Sequence, residues 1–282
     1  MFEVFPPKSV VVGIDGSQAA VRAALWAVDE VAGTDIPLRM LYIRELRPTA
    51  SRSEARTAME TAEEAVYDAY HAITATGKPV KVEMEIIEGR PVPALIRASD
   101  STPMLCVGDT GAGQSSRAGF GSTAAELVHS AHCSVAVVRG DRNREPTDSR
   151  MIVAHVAGSA DDDNVLEFAF EEASRRSAPL VVMTAWRSGF DDLQNDRLIV
   201  DHERRMRDIL NRYVALCTPH YPGVDVRSIA AQGTFFDYLT EHAETVQLVV
   251  VGANQARELQ QLIGSDGDHV LQHSDFSLLV AR

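Results

Sequence analysis

The chain has 282 residues, 45% hydrophobic and 24% charged, which suits two ordinary globular domains with proper cores. Its formal net charge of −13 argues against a nucleic-acid footprint and against an anionic membrane surface as partner. No run of about 18 apolar residues occurs, so no membrane span is expected. Met1 to Lys8 contains no apolar core, so no signal peptide is expected. Three cysteines, Cys106, Cys133 and Cys217, with no CxxC pair, point to a reducing compartment, the cytoplasm.

In chain order, Ser9 to Asp15 reads as a buried first strand ending in an acid. Gly16 turns the chain and Ser17 is a helix N-cap, its oxygen placed to accept an orphan N–H two or three residues on. Val21, Ala24, Leu25, Val28 and Val31 have helical spacing, and Gly33 stops the helix. A second strand is predicted over 36–43 and a long Ala/Glu-rich helix over 53–76. An alternating strand follows over 80–87, then a short helix after Gly89-Arg-Pro91 that runs to Ala98. Met104 to Val107 is a short apolar run with the look of a buried strand. A loop of mostly small or polar residues follows Gly108. A helical pattern restarts at Gly121-Ser122-Thr123 and reaches Ala131, and a last strand is predicted over 135–139. Strands alternating with helices imply crossover connections and a parallel sheet covered on both faces.

Gly140 to Arg150 is polar and charged and reads as a linker, dividing the chain into domains at 1–140 and 151–282. Beyond it the pattern repeats. Gly158-Ser159 answers Gly16-Ser17, and Ala178-Pro-Leu180 answers Ile36-Pro-Leu38, both 142 residues on. Val251-Gly252 answers Val107-Gly108 at 144, and Gly264-Ser265 answers Gly121-Ser122 at 143, an offset constant enough to mark a duplicated domain. The fold class expected is therefore α/β: two tandem, doubly wound, parallel five-stranded domains in strand order 3-2-1-4-5. Their last strands lie at sheet edges that need cover.

A strand, a glycine-rich loop and a helix start make a place where an anion can sit, because unpaired N–H groups and the helix dipole converge there. A Walker-type site needs a lysine after its glycines, and the only lysines are Lys8, Lys78 and Lys81, so ordinary P-loop chemistry is excluded. The spacing Gly108-x2-Gly111-x9-Gly121-Ser122, the opening Val-Val-Val-Gly-Ile-Asp-Gly-Ser, and Ala131-His-Cys-Ser134 before the final strand resemble the ATP-binding universal stress proteins in their tandem-domain form. That resemblance implies ATP held by Gly13, Asp15, Ser17, Ile43, Val107, Gly108, Gly111, Gly121, Ser122 and Thr123. Asp15 would lie toward the adenosine, Ile43 and Val107 against the base, and Gly121 to Thr123 at the phosphates. Arg117, the only basic residue of the loop, is a candidate for the γ-phosphate. Mg²⁺ is compatible as a companion of the triphosphate, with no carboxylate assigned to it. The family pairs edge strands between domains or subunits, which implies a pseudo-dimer of the two halves or a homo-oligomer. A regulatory protein of unknown identity is the expected partner.

The second half lacks these features. His155 stands where Gly13 stood, Ala157 replaces Asp15, and Gln255 replaces the second loop glycine. Asp266 and Asp268 sit near its would-be anion pocket, where like charge repels. The second half is therefore expected to bind no ATP by this route. No nucleophile elbow surrounds Gly16-Ser17, and no general base or catalytic lysine is evident, so the expectation is binding with little or no turnover rather than an enzyme. The alternative is a non-nucleotide scaffold of the same fold. His129-x2-His132-Cys133 has no matching ligand pair, and Asp161-Asp162-Asp163 reads as the acidic first turn of a helix.

Overall fold

The computed structural model describes residues 9–45, 49, 51–112, 120–140, 150–186, 196–263 and 274–282, and the chain divides into two units, Met1–Arg139 and Gly140–Arg282. Most of the stretch read as a linker, residues 141–149, lies outside the described residues, as do Arg117, Gly264, Ser265, Asp266 and Asp268.

The first unit alternates strand and helix. Its elements are β1 (Val10–Ile14), α1 (Gln18–Val31), β2 (Leu38–Arg44), α2 (Arg52–Thr74), β3 (Val82–Glu88), α3 (Pro91–Ser99), β4 (Met104–Gly108), α4 (Ser122–Ser130) and β5 (Ser134–Val138). The strands run parallel in the order β3-β2-β1-β4-β5, as expected from the sequence. A parallel sheet covered on both faces needs strands that are apolar throughout, and Val10–Val12, Leu105, Cys106 and Val135–Val137 are all essentially buried. The second strand starts two residues later than expected. Pro37 has no N–H to give the ladder, and its carbonyl instead accepts from the N–H of Val10 at 3.0 Å.

Helix α1 begins where Ser17 accepts from the N–H of Ala20 at 3.0 Å. Its apolar stripe, including Val21, Ala24, Val28 and Val31, is buried. Helix α2 opens on a reciprocal capping box between Ser51 and Glu54 and buries only Ala62, Ala65, Val66, Ala69 and Ile73, one narrow face.

The second unit contains β6 (Met151–His155), α5 (Asp162–Arg176), β7 (Leu180–Trp186), α6 (Asp196–Cys217), β8 (Val226–Gln232), α7 (Phe235–His242), β9 (Val246–Gly252), α8 (Ala253–Ile263) and β10 (Ser277–Ala281). Its strands are again parallel and ordered β8-β7-β6-β9-β10. Its core is built on Phe170, Leu180, Met183, Leu239, Leu248 and Phe276, each closed to solvent and each worth about 2 to 3 kcal/mol of burial. One segment departs from the sequence expectation. Residues after Gly252, read as a counterpart of the glycine loop, are helical from Ala253 to Ile263. Without the second glycine the run Ala-Asn-Gln-Ala-Arg-Glu-Leu-Gln-Gln-Leu-Ile is rich in helix formers, and local propensity decides. Among the described residues no helix is long and apolar enough to cross a membrane.

Candidate functional site

In the first unit the chain turns from β1 to β2 on one side and reaches β4 on the other. The carboxyl ends of β1 and β4 therefore part, as at the switch point of any doubly wound sheet. A cavity of ≈ 500 Å³ opens there, within the range of small-molecule sites. Nine of the ten residues singled out from the sequence line it: Gly13, Asp15, Ile43, Val107, Gly108, Gly111, Gly121, Ser122 and Thr123. The tenth, Ser17, does not line it. Its hydroxyl caps α1 and lies 3.5 Å from the carbonyl of Thr110, so Ser17 ties the helix start to the glycine loop from outside the cavity.

The glycines play different parts. Gly121 is the N-cap of α4 and carries no capping side chain, so among the described residues no side chain caps the N–H groups at the start of α4, where Ser122, Thr123 and Ala124 line the cavity. Gly111 leaves room for Asp15, since a Cβ there would lie 3.1 Å from Oδ2. Asp15 accepts from the N–H of Ser17 at 2.9 Å with one oxygen and from the N–H of Ala112 at 3.0 Å with the other, joining both loops that bound the cavity. Gly108 lines the cavity and is also constrained by packing. A Cβ at Gly108 would lie 2.6 Å from both the carbonyl carbon and the Cβ of Ala19, so its glycine is required by the packing of α1 on β4. Tyr42, at the end of β2, also lines the cavity. Burial, and then the nearby Asp15 carboxylate, push its phenol pKa up, so it stays a neutral hydroxyl.

Sequence reasoning missed Asp109. It is 8% exposed and lines the cavity. Its carbonyl accepts the N–H of Gly121 at 2.7 Å, and its carboxylate pairs with Arg22 at 3.4 Å and Arg139 at 3.2 Å. Nothing local signals this cluster, because its members come from α1, the end of β4 and the end of β5. Among the described residues no group of three or more His, Cys, Asp or Glu side chains is arranged to hold a metal ion.

The second unit has the same switch point between β6 and β9, and the corresponding positions are filled. Gly13 is in register with Leu41 on β2, and His155 is in register with Met183 on β7, so the two hold the same place in their sheets. The imidazole of His155 stacks on Phe235 at 4.4 Å and 11°, and Phe235 opens α7 as Pro91 opens α3. Neither ring nitrogen of His155 finds a partner among the described residues. The start of α8 is filled too: Asp161, where the first unit has Ala19, accepts from the N–H of Ala253 at 3.2 Å. The neighbouring Asp162 gathers the N–H groups of Ala157, Gly158 and Ser159. The sequence reading looked for repelling carboxylates at Asp266 and Asp268, whereas among the described residues Asp161 supplies one.

Burial lowers the pKa of His155 to about 4, against a smaller opposite pull from the Asp162 carboxylate. The unfolded chain protonates this histidine near its ordinary value and the folded chain does not. Stability is therefore whole above about pH 6.5 and lost as pH falls toward 4, by up to about 3 kcal/mol. Urea midpoints measured across that interval should fall more steeply in the wild type than in His155→Leu; equal slopes would show that His155 is not buried neutral.

A sequence profile of the Universal stress protein family matches residues 7–139 and 149–282. The chain is 42% identical over 276 residues to universal stress protein Rv2028c of Mycobacterium tuberculosis (strain ATCC 25618 / H37Rv), a match covering 97% of this chain and 96% of that one. It is 36% identical over 276 residues to universal stress protein Rv2624c of the same strain, covering 98% and 96%. Its fold is similar to the crystal structure of a universal stress protein from Archaeoglobus fulgidus DSM 4304, with a TM-score of 0.67 over 99% of this chain and 97% of that one, at 18% identity.

Proposed function

The chain belongs to the universal stress protein family, and from that premise we propose that its first unit binds one adenine nucleotide, ATP foremost, and that its second unit binds none. Nucleotide occupancy then serves as the signal in a stress-responsive regulatory role, read by a protein partner, with little or no turnover. The contrast at one sheet position supports this most directly: Gly13 leaves room at the switch point of the first unit, and His155 fills the same position in the second. In the first unit the apolar side of the cavity, with Ile43, Val107 and Leu95, suits a base. The start of α4 suits phosphate oxygens, because among the described residues no side chain caps its first N–H groups and these lie at the positive end of the helix dipole. Mg²⁺ would arrive with the triphosphate. Of the carboxylates in the described lining, Asp15 already binds main-chain N–H groups and Asp109 already pairs with two arginines.

Equilibrium dialysis of the full chain against ATP should saturate at one nucleotide per chain. Asp15→Ala, which removes the carboxylate joining Ser17 to Ala112, should lower the affinity by about tenfold, the effect of a lost charged hydrogen-bonding group. Saturation at two would refute the single-site reading. No binding of ATP at any concentration tested would leave the scaffold reading in its place.

A further inference from the structure

The cavity of the first unit poses a charge problem for an anionic ligand. Its described lining carries three carboxylates, Asp15, Glu45 and Asp109, and no arginine or lysine. The start of α4 attracts an anion there, and the carboxylates oppose it. Asp109 stands nearest the problem because it is fixed beside Gly121. Its N–H donates to the carbonyl of Val138 at 3.1 Å and its carbonyl accepts from Gly121 at 2.7 Å, so it is held at both main-chain groups.

Two guanidinium groups flank its carboxylate, and neither arginine is among the described lining residues. Arg22 Nη2 lies 3.4 Å from Oδ1, and Arg139 Nε lies 3.2 Å from Oδ2. Arg139 has a side chain only 8% exposed, and its guanidinium carbon lies 5.2 Å from the ring centre of Phe120, the residue before Gly121. Two guanidinium groups thus share the Asp109 carboxylate at the base of the loop that leaves Asp109 and returns at Gly121. In so sparsely hydrated a place such charges act over several ångströms.

We propose that Arg22 and Arg139 are positioning residues of the nucleotide site. Acting through Asp109, they offset a carboxylate that would otherwise repel phosphate, and so set the preference for phosphorylated adenosine over adenosine itself. The proposal rests on the nucleotide reading of the same cavity. It explains how a pocket with an acidic lining, in a chain of charge −13, accepts a triphosphate without a lysine.

The test compares dissociation constants of ATP and adenosine for the full chain and its variants. Arg22→Gln and Arg139→Gln should each weaken ATP roughly tenfold and move adenosine by less than about twofold, because only the charged ligand feels the lost charge. Asp109→Asn should strengthen ATP binding, and adding it to Arg22→Gln should return ATP affinity to near the wild-type value. A cluster that served only to hold the fold would give the opposite sign for Asp109→Asn. Arg22 lies on α1 with its side chain 24% exposed, so it carries the comparison if Arg139→Gln fails to fold. Equal weakening of both ligands, or no restoration by Asp109→Asn, overturns the proposal while leaving the nucleotide reading intact. A wild-type chain that binds neither ATP nor adenosine overturns both.

Discussion

Replacing Gly13 by histidine is expected to abolish nucleotide binding by the first unit while leaving its fold in place. The backbone allows the change, since Gly13 is not among the glycines with positive φ. The space allows the first atom as well. A Cβ would sit 3.3 Å from Cγ1 of Val107 and 3.6 and 3.7 Å from the methyls of Leu95, contacts that side-chain tips relieve by a few tenths of an ångström. Gly13→Ala is therefore the control that keeps both the fold and the ligand. The rest of an imidazole extends into the ≈ 500 Å³ cavity, as His155 extends over Phe235 in the second unit. A ligand at a hundred times its dissociation constant stabilises a protein by about 2.7 kcal/mol, so the wild type should show a clear rise in unfolding midpoint with ATP and Gly13→His none. A Gly13→His chain that still responds to ATP like the wild type would show that the nucleotide does not use this crevice.

Gly108→Ala should be the most destabilising single-methyl change in the first unit. The added Cβ would lie 2.6 Å from the Ala19 carbonyl carbon and 2.8 Å from its oxygen, and main-chain atoms inside a helix cannot rotate aside. Either α1 lifts from β4 or the strand end shifts. The cost is about 3 kcal/mol, at the upper end for overpacking. Such a shift also displaces Ser17 and Arg22, both on the affected end of α1, so ATP affinity should fall with stability. The corresponding change in the second unit is milder. A Cβ at Gly252 would lie 3.0 Å from the Cβ and Oδ2 of Asp161 and 3.1 Å from Oε1 of Gln255; the two oxygens can turn away and the Asp161 Cβ must give by only a few tenths of an ångström, so Gly252→Ala should cost about 1 kcal/mol. Urea unfolding of the two variants separates these outcomes, and equal costs would mean that α1 yields as easily as a side chain.

Much of the fold was legible because a parallel sheet covered by helices leaves strong marks. Its strands are unbroken apolar runs such as Val10–Val12 and Leu248–Val251, and its helices begin at caps such as Ser17 and Ser51. The glycine spacing from Gly108 to Gly121 was legible for a similar reason: both ends of a loop that returns to one crevice must lie near the strand ends. Element bounds moved by a residue or two, as with Pro37, where one missing N–H delays the ladder. The helix Ala253–Ile263 was misread as loop, because alignment to the first half overrode a local sequence that favours helix.

The sequence by itself determined the fold class, the duplication, the family and the ends of the strands at which a ligand can sit, since these depend on periodicity and on residues close in the chain. Only the tertiary structure decided what each residue does there. Gly108 is glycine for Ala19, and Asp109 answers to Arg22 and Arg139, 87 and 30 residues away. His155 and Asp161 fill in the second unit what Gly13 and Ala19 leave open in the first. The physical reason is that charge compensation and excluded volume act through space, and folding brings together side chains whose separation along the chain carries no trace of their distance.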